Sequence, residues 1–142
     1  MAITSGINIV FKKDVMLEQH NLPSDTLRIA LVSASGSASN GGPDTIASIS
    51  GQISGTSDGS GGSGYVTGVT VSNVSSSGVV DFSDVSFTSV TFTARGAILY
   101  NETNSNKVIA VYDFGGDKAV TNGTFQLTIP SATSAAAIVR LN

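Results

Sequence analysis

Residues Phe87 to Phe114 read FTSVTFTARGAILYNETNSNKVIAVYDF, and the fold turns on how this stretch is read. On its first arm Val90, Phe92, Ala94, Gly96, Ile98 and Tyr100 fall on every second position, with Thr91, Thr93 and Arg95 between them. That alternation is the period-two signature of a half-buried strand. Parity places Tyr100 with Phe92 and Ile98 in the core, and Arg95 on the opposite face as an exposed or inter-subunit contact. The second arm, Lys107 to Phe114, opens with the continuous apolar run Val108–Val111. A strand apolar on both faces calls for a cover on each side, by its own core and by another layer or chain. Between the arms, Asn101–Asn106 is entirely polar and reads as a solvent-exposed loop. The expectation is a β-hairpin with further strands laid beside it.

Outward from this hairpin the same logic places the other strands. Asp25–Val32 is a strand with Leu27, Ile29 and Leu31 on one face and Thr26, Arg28 and Ala30 on the other. Tyr65–Val71 alternates with Tyr65, Thr67, Val69 and Val71 together. Ser75–Gly78 reads as a turn, and Val79–Phe82 as a short strand. After the central hairpin, Gly115–Lys118 reads as a tight turn. Asn122-Gly123, flanked by strand formers, is the sequence signal of a hairpin turn with positive φ at both positions. Phe125, Leu127 and Ile129 alternate up to Pro130, and Ala136–Leu141 is a terminal strand, which predicts a C-terminus paired into a sheet. About seven or eight short strands with turn signals every 8–12 residues or so indicate an all-β fold, an antiparallel sandwich or barrel-like sandwich.

Two segments depart from this pattern. Within residues 1–24, Phe11, Val15, Met16 and Leu17 have helical spacing, which fits a short helix ended by Asn21-Leu22-Pro23; an extended arm packed on a neighbouring subunit fits equally. Residues 33–64 are glycine- and serine-rich, with Ile46, Ile49 and Ile53 as their apolar anchors. They read as a surface excursion pinned by those isoleucines, with a mobile tip at Ser57–Gly64. Its role is that of a passive linker or of an arm that orders against a partner. At 142 residues the chain makes one domain, 1–142, with a core sufficient without metal or disulfide staples.

Composition narrows function. There is no cysteine, so disulfides and thiolate metal sites are excluded. A net charge of −3 with no basic stripe argues against nucleic acid as a partner. No apolar stretch approaches the ~20 residues of a membrane span, and the start lacks the basic end and apolar core of a signal peptide. The expectation is a protein made in a cytoplasm, without a membrane or nucleic-acid partner. No catalytic, cofactor or metal site emerges. His20 is the one histidine and reads as surface decoration, and no serine sits in a Gly-x-Ser-x-Gly elbow. Gly59–Gly64 lacks the lysine of a phosphate loop. The pairs Asp81/Asp84 and Asp113/Asp117 lie at turns, where aspartate bonds local backbone, and a calcium site would need more oxygens in series. Asn73, Asn101 and Asn122 head glycosylation sequons. Tyr65, Tyr100 and Tyr112 are candidates for a sugar-stacking platform.

Four features in order resemble a family of small tailed-bacteriophage virion proteins. These are the strand Asp25–Val32; the Gly64–Gly68 segment after a variable loop; the strand Phe92–Tyr100; and Val108–Gly115, followed by Asn122–Phe125 and the terminal Val139-Arg140-Leu141. The resemblance spans most of the chain outside 33–63, and its motifs are structural. It implies a capsid decoration (cement) protein or another accessory virion protein without enzymatic activity. The implied partners are the major capsid protein and copies of itself, as a homotrimer or other small ring on the capsid exterior. A tail- or fibre-associated host-recognition or carbohydrate-binding module is the alternative.

Overall fold

The computed structural model describes residues 3, 5–37, 39, 41–53, 63–74, 77–129 and 139–141. The fold is all-β with one short helix, and every strand pair is antiparallel. The elements are β1 (Gly6–Ile7), α1 (Ile9–Met16), β2 (Leu27–Val32), β3 (Ser63–Tyr65), β4 (Thr70–Val74), β5 (Ser77–Asp81), β6 (Val85–Asn101), β7 (Lys107–Leu127) and β8 (Val139–Leu141). They form a five-stranded sheet ordered β1-β7-β6-β2-β3 and a three-stranded sheet ordered β4-β5-β8.

The central hairpin is present and longer than its sequence signals indicate. β6 has 17 residues and β7 has 21, because neither expected turn after Phe114 reverses the chain. The expected turn Gly115–Lys118 is instead largely a bulge in β7, formed by Phe114–Asp117: Gly96 pairs with Asp113 and Ala94 with Lys118, so one β6 residue faces four on β7. Asn122-Gly123 likewise lies inside β7, where Gly123 pairs with Val90 and Thr121-Asn122 form a second bulge opposite Thr91. Asn122 does take a positive φ of 47°, and the local preference is met by a bulge rather than a turn.

Bulges also overturn the simple parity of β6. Val90 and Ala94 point to one core, but so do Ala97 and Leu99, while Ile98 and Tyr100 belong to the other. The switch occurs at Gly96, where the register shifts. A Cβ there would lie 2.6 Å from the Tyr112 carbonyl oxygen and within 3.2 Å of the Ile3 side chain, so only glycine fits. Tyr100 is in a core, as parity indicated, but not on the Phe92 face.

The expected strand Tyr65–Val71 is divided. β3 pairs with β2 in one sheet, β4 pairs with β5 in the other, and the chain crosses between them at Gly68, whose φ is +69°. Positive φ at a residue without a Cβ carries no steric cost and permits the crossover. The first core lies between the sheets. Leu27, Ile29, Leu31, Phe87, Val90 and Leu99 meet Val80 and Phe82 there.

The opposite face of the five-stranded sheet carries a second core. Ala30, Val32, Ile98, Tyr100, Val108 and Val111 are covered by Ile3, Ile46 and Ile49. Residues 44–53 are tied to the β6–β7 turn by Ile46 N–H to Asn106 O (3.0 Å), to β7 by Val108 N–H to Asp44 O (2.9 Å), and to β2 by Ile53 N–H to Leu31 O (2.8 Å). This part of the 33–64 excursion is therefore neither a passive linker nor an arm awaiting a partner: it seals a sheet face within the same chain. The apolar run Val108–Val111, fully buried, needs no other chain to cover it. Most of the Ser57–Gly64 tip, the turn residues 75 and 76, and residues 136–138 of the terminal strand lie outside the described residues.

Candidate functional site

The N-terminal segment takes the helical option, and its capping follows from Asn8. The Asn8 side-chain oxygen accepts from the backbone N–H groups of Val10 (2.8 Å) and Phe11 (3.2 Å), satisfying donors that the first turn leaves unpaired. Its amide nitrogen donates to Asp44 (3.2 Å), so the cap also fastens α1 to the segment covering the second core. One turn on, the buried Asp14 carboxylate accepts from Lys107 Nζ at 3.0 Å, joining α1 to β7. Phe11 is buried and Val15 half-buried. Met16 and Leu17, grouped with them by spacing, instead face solvent at 80% and 59% exposure, and Ile9 joins them. The outer face of α1 thus presents Ile9, Lys12, Lys13 and Met16 at helical spacing.

After α1 the chain turns through Asn21–Asp25, held by Asp25 N–H to Asn21 O (2.8 Å) and Asn21 N–H to Asp25 Oδ2 (2.8 Å). This segment and β4–β5 enclose a hollow of about 250 Å3, lined chiefly by Phe11, Val15, Leu22, Val71, Val79 and Val80, with His20 in its wall. Val71, half exposed, stands across the hollow from α1. His20 is not the surface decoration expected. Its ring packs edge-on against Phe11, with centroids 4.8 Å apart, and bonds to Asn101. Burial pushes its pKa below 6.5, against the pull of Asp14 and Asp25.

Asn101, assigned by sequence to an exposed loop, is fully buried. Its Oδ1 accepts from Asn104 N–H (3.2 Å) and its Nδ2 donates to Asp25 (2.6 Å). A side chain so enclosed is no glycan acceptor, and Asn122, exposed, bonds Thr91. Asn8, Asp14 and Asn101 are polar tethers that the sequence reading passed over. Asn8 carried a usable signal, an N-cap residue preceding a helical pattern; the other two tether distant segments, through bonds that span 76 and 93 residues of chain.

The remaining candidates are held by their own neighbours. Arg95 pairs with both Asp113 (3.4 Å) and Asp117 (3.7 Å), so its guanidinium neutralises the proposed carboxylate pair. Asp81 accepts from the Phe82 N–H, and Asp84 from the Ile129 N–H (2.7 Å) and Gln126. Among the described residues no three His, Cys, Asp or Glu side chains converge as a metal site would require, and no helix is long and apolar enough to cross a membrane. The tyrosines do not share one platform. Tyr65 and Tyr100 both pair with Arg28 in register, with Arg28 stacked 4.3 Å from the Tyr65 ring centre. Tyr100 is buried, however, and Tyr112 packs against the first core, where burial raises its pKa. A second, open groove of about 450 Å3 lies along the far end of β7 beside Phe114, Lys118, Phe125 and Leu127.

Among the described residues the exposed large apolar side chains are Ile9, Met16, Leu17, Tyr65 and Val71, and three of them lie on or just after α1, which makes its outer face, with the hollow on its other side, the candidate site. Comparison of the chain with protein-family models, curated proteins and solved structures gives no match.

Proposed function

We propose that the chain is a bacteriophage virion structural protein, a capsid decoration (cement) protein that stabilises the head by bridging capsid subunits. The observation that carries the reading is the set of exposed large apolar side chains Ile9, Met16 and Leu17 on and just after α1, with Val71 exposed at the apolar hollow that the helix's other side lines. The helix that carries Ile9 and Met16 is anchored by the buried polar tethers Asn8 and Asp14. Large apolar side chains grouped on a rigid surface favour protein contacts. At about 25 cal/mol per Å2 of apolar surface removed from water, even a modest contact repeated over many copies becomes a substantial barrier to particle disruption. The reading is non-enzymatic, and the engagement of Asp81, Asp84, Asp113 and Asp117 by backbone or by Arg95 supports it. Cyclic self-association into a homotrimer or another small ring on the capsid exterior would match local capsid symmetry. Because Val108–Val111 is sealed internally, the partner-facing role moves to α1.

The test is the copy number in purified parent virions, measured by quantitative mass spectrometry against the major capsid protein. About one copy per capsid subunit, or one trimer per local three-fold, is the expected result. A count of a few to a few tens would assign the protein to tail or fibre. Absence from the particle overturns both assignments.

A host-recognition or carbohydrate-binding module is the second reading, and the exposed Tyr65 ring backed by Arg28 favours it. An aromatic face stiffened by a cation beneath it is a suitable sugar-stacking surface. Tyr65→Ala should then abolish glycan binding and leave particle attachment intact.

A further inference from the structure

His20 lies where the segment following α1 meets the β6–β7 turn, and its neighbours dictate where its proton sits. The backbone N–H of Asn104 donates to Asn101 Oδ1 at 3.2 Å. The other atom of that amide, Nδ2, is therefore a donor, and it donates to Asp25 Oδ2 at 2.6 Å and to His20 Nδ1 at 3.0 Å. Nδ1 thus presents a lone pair, and the neutral ring carries its hydrogen on Nε2. Nε2 is itself buried without a hydrogen-bond partner among the described residues, beside the Phe11 ring. An imidazolium in this place would turn an Nδ1–H against the Asn101 donor group and put positive charge on a ring whose Nε2–H already lacks a partner among the described residues. Re-aiming the Asn101 amide would break its bonds with Asn104 and Asp25. Three charged groups act on the ring: Asp14 from α1 and Asp25 from the segment before β2 favour the cation, and Lys107 from β7 opposes it.

We propose that His20 is an acid-sensitive latch, whose protonation breaks the His20–Asn101 bond and loosens residues 17–26 against the β6–β7 turn, opening the edge of the first core at Leu22 while the second core stays closed. The Asn8 cap and the Asp14–Lys107 pair do not pass through His20 and continue to hold the start of α1. The bonds of Thr26 with Glu102 N–H (2.9 Å) and Thr103 Oγ1 (2.8 Å) hold the far end of the segment. The loosening therefore centres on residues 17–25, where Asn104 Nδ2 to Gln19 O remains as a tie to the turn. Loosening uncovers the Phe11 and Val79–Val80 walls of the hollow. The device is therefore a pH-dependent change in the apolar surface beside α1, and it stands whether or not that surface docks on a capsid.

Hydrogen–deuterium exchange of the full chain at pH 7.5 and 5.0, corrected for intrinsic rates, reads it directly. With His20 free to titrate near pH 6.5 in the open form, protection across 17–26 should fall by up to about 30-fold at pH 5.0. Protection across 96–101 should not change. In His20→Gln the side-chain oxygen still accepts from Asn101 but nothing titrates there, so the difference between the two pH values should vanish. An equal loss in His20→Gln would assign the effect to Asp14 or Asp25 and overturn the latch, as would unchanged protection in the wild type. Should that variant not fold, 15N spectra of the wild-type imidazole decide. The Nε2–H tautomer at pH 7.5, titrating with the same midpoint as the loss of protection, is expected. An Nδ1–H tautomer, or a midpoint at or above 6.5, overturns it.

Discussion

One face of the five-stranded sheet is covered by a second sheet, through Val80 and Phe82. The other is covered by irregular chain, through Ile3, Ile46 and Ile49. Both covers leave the β2 interior fully buried, yet they are built differently. Across the sandwich face, the cover comes from Val80 on β5 and Phe82 just after it, joined by Phe11 and Leu22. Across the other face, Ile46 at the start of a single 3-10 turn, Ile46–Ser48, and Ile49 just after it do the work of a strand pair, and backbone hydrogen bonds to β2, β7 and the β6–β7 turn hold that stretch down. A glycine- and serine-rich stretch is thus able to complete a core when a few apolar residues sit at the right points and its backbone groups find partners on the sheet.

Substitutions on the two faces separate these modes. Phe87→Ala, in the sandwich core where Phe87 is fully buried, should cost about 3–5 kcal/mol of global stability, as denaturant titration would record. Ile49→Ala, on the loop-covered face, should cost about 2–3 kcal/mol, because an irregular cover relaxes around a cavity more readily than a strand. Limited proteolysis should then cut first within 33–53. A loss as large as that of Phe87→Ala would mean that the loop is as integral as the second sheet. Gly96→Ala probes the point where the two cores exchange residues. The new Cβ meets the Tyr112 carbonyl at 2.6 Å, and thermal unfolding should register about 1–3 kcal/mol of destabilisation.

The smallest expected effect is confined to alkaline solution. Tyr112 packs against the sandwich core and burial raises its pKa above 10. Its contribution to stability is full below pH 10 and is lost as pH rises beyond that, because the unfolded chain releases the phenolic proton first. Tyr112→Phe should flatten the stability profile above pH 10 and leave it unchanged at neutrality. An unaltered alkaline profile would show that the ring is not enclosed on that face.

Deletion experiments acquire a different meaning from this geometry. Removal of residues 33–64 strips Ile46 and Ile49 from the second core, so loss of particle binding after that deletion reports unfolding. Exchange of Met16 and Leu17 for serine is the cleaner probe of docking, since both side chains already face solvent.

How far the site could be read from sequence differs residue by residue. The spacing of Phe11 and Val15 announced the buried side of a helix, because that period is local. The same spacing grouped Met16 and Leu17 with them, and only the position of the sheet decided which side of α1 met it. Asn101 had the composition of an exposed loop, and its burial arises from Asp25 and His20, supplied by a distant segment. The hollow beside α1 exists because the β4–β5 hairpin crosses to the second sheet at Gly68, a change of partner that leaves the alternation Tyr65–Val71 undisturbed.

By itself, then, the amino-acid sequence determined the all-β class, the central hairpin and its apolar arms, the strand β2, and a hydrophobic set large enough for one domain. These follow from side-chain period and turn chemistry, which act over a few residues. Tertiary structure decided whether glycine and Asn-Gly signals became turns or bulges, which core each β6 residue entered, and what covered Val108–Val111. Each of those depends on the register of a distant strand: a single bulge shifts every following side chain to the other face, and the stability gained by burying the right face selects where the bulge occurs.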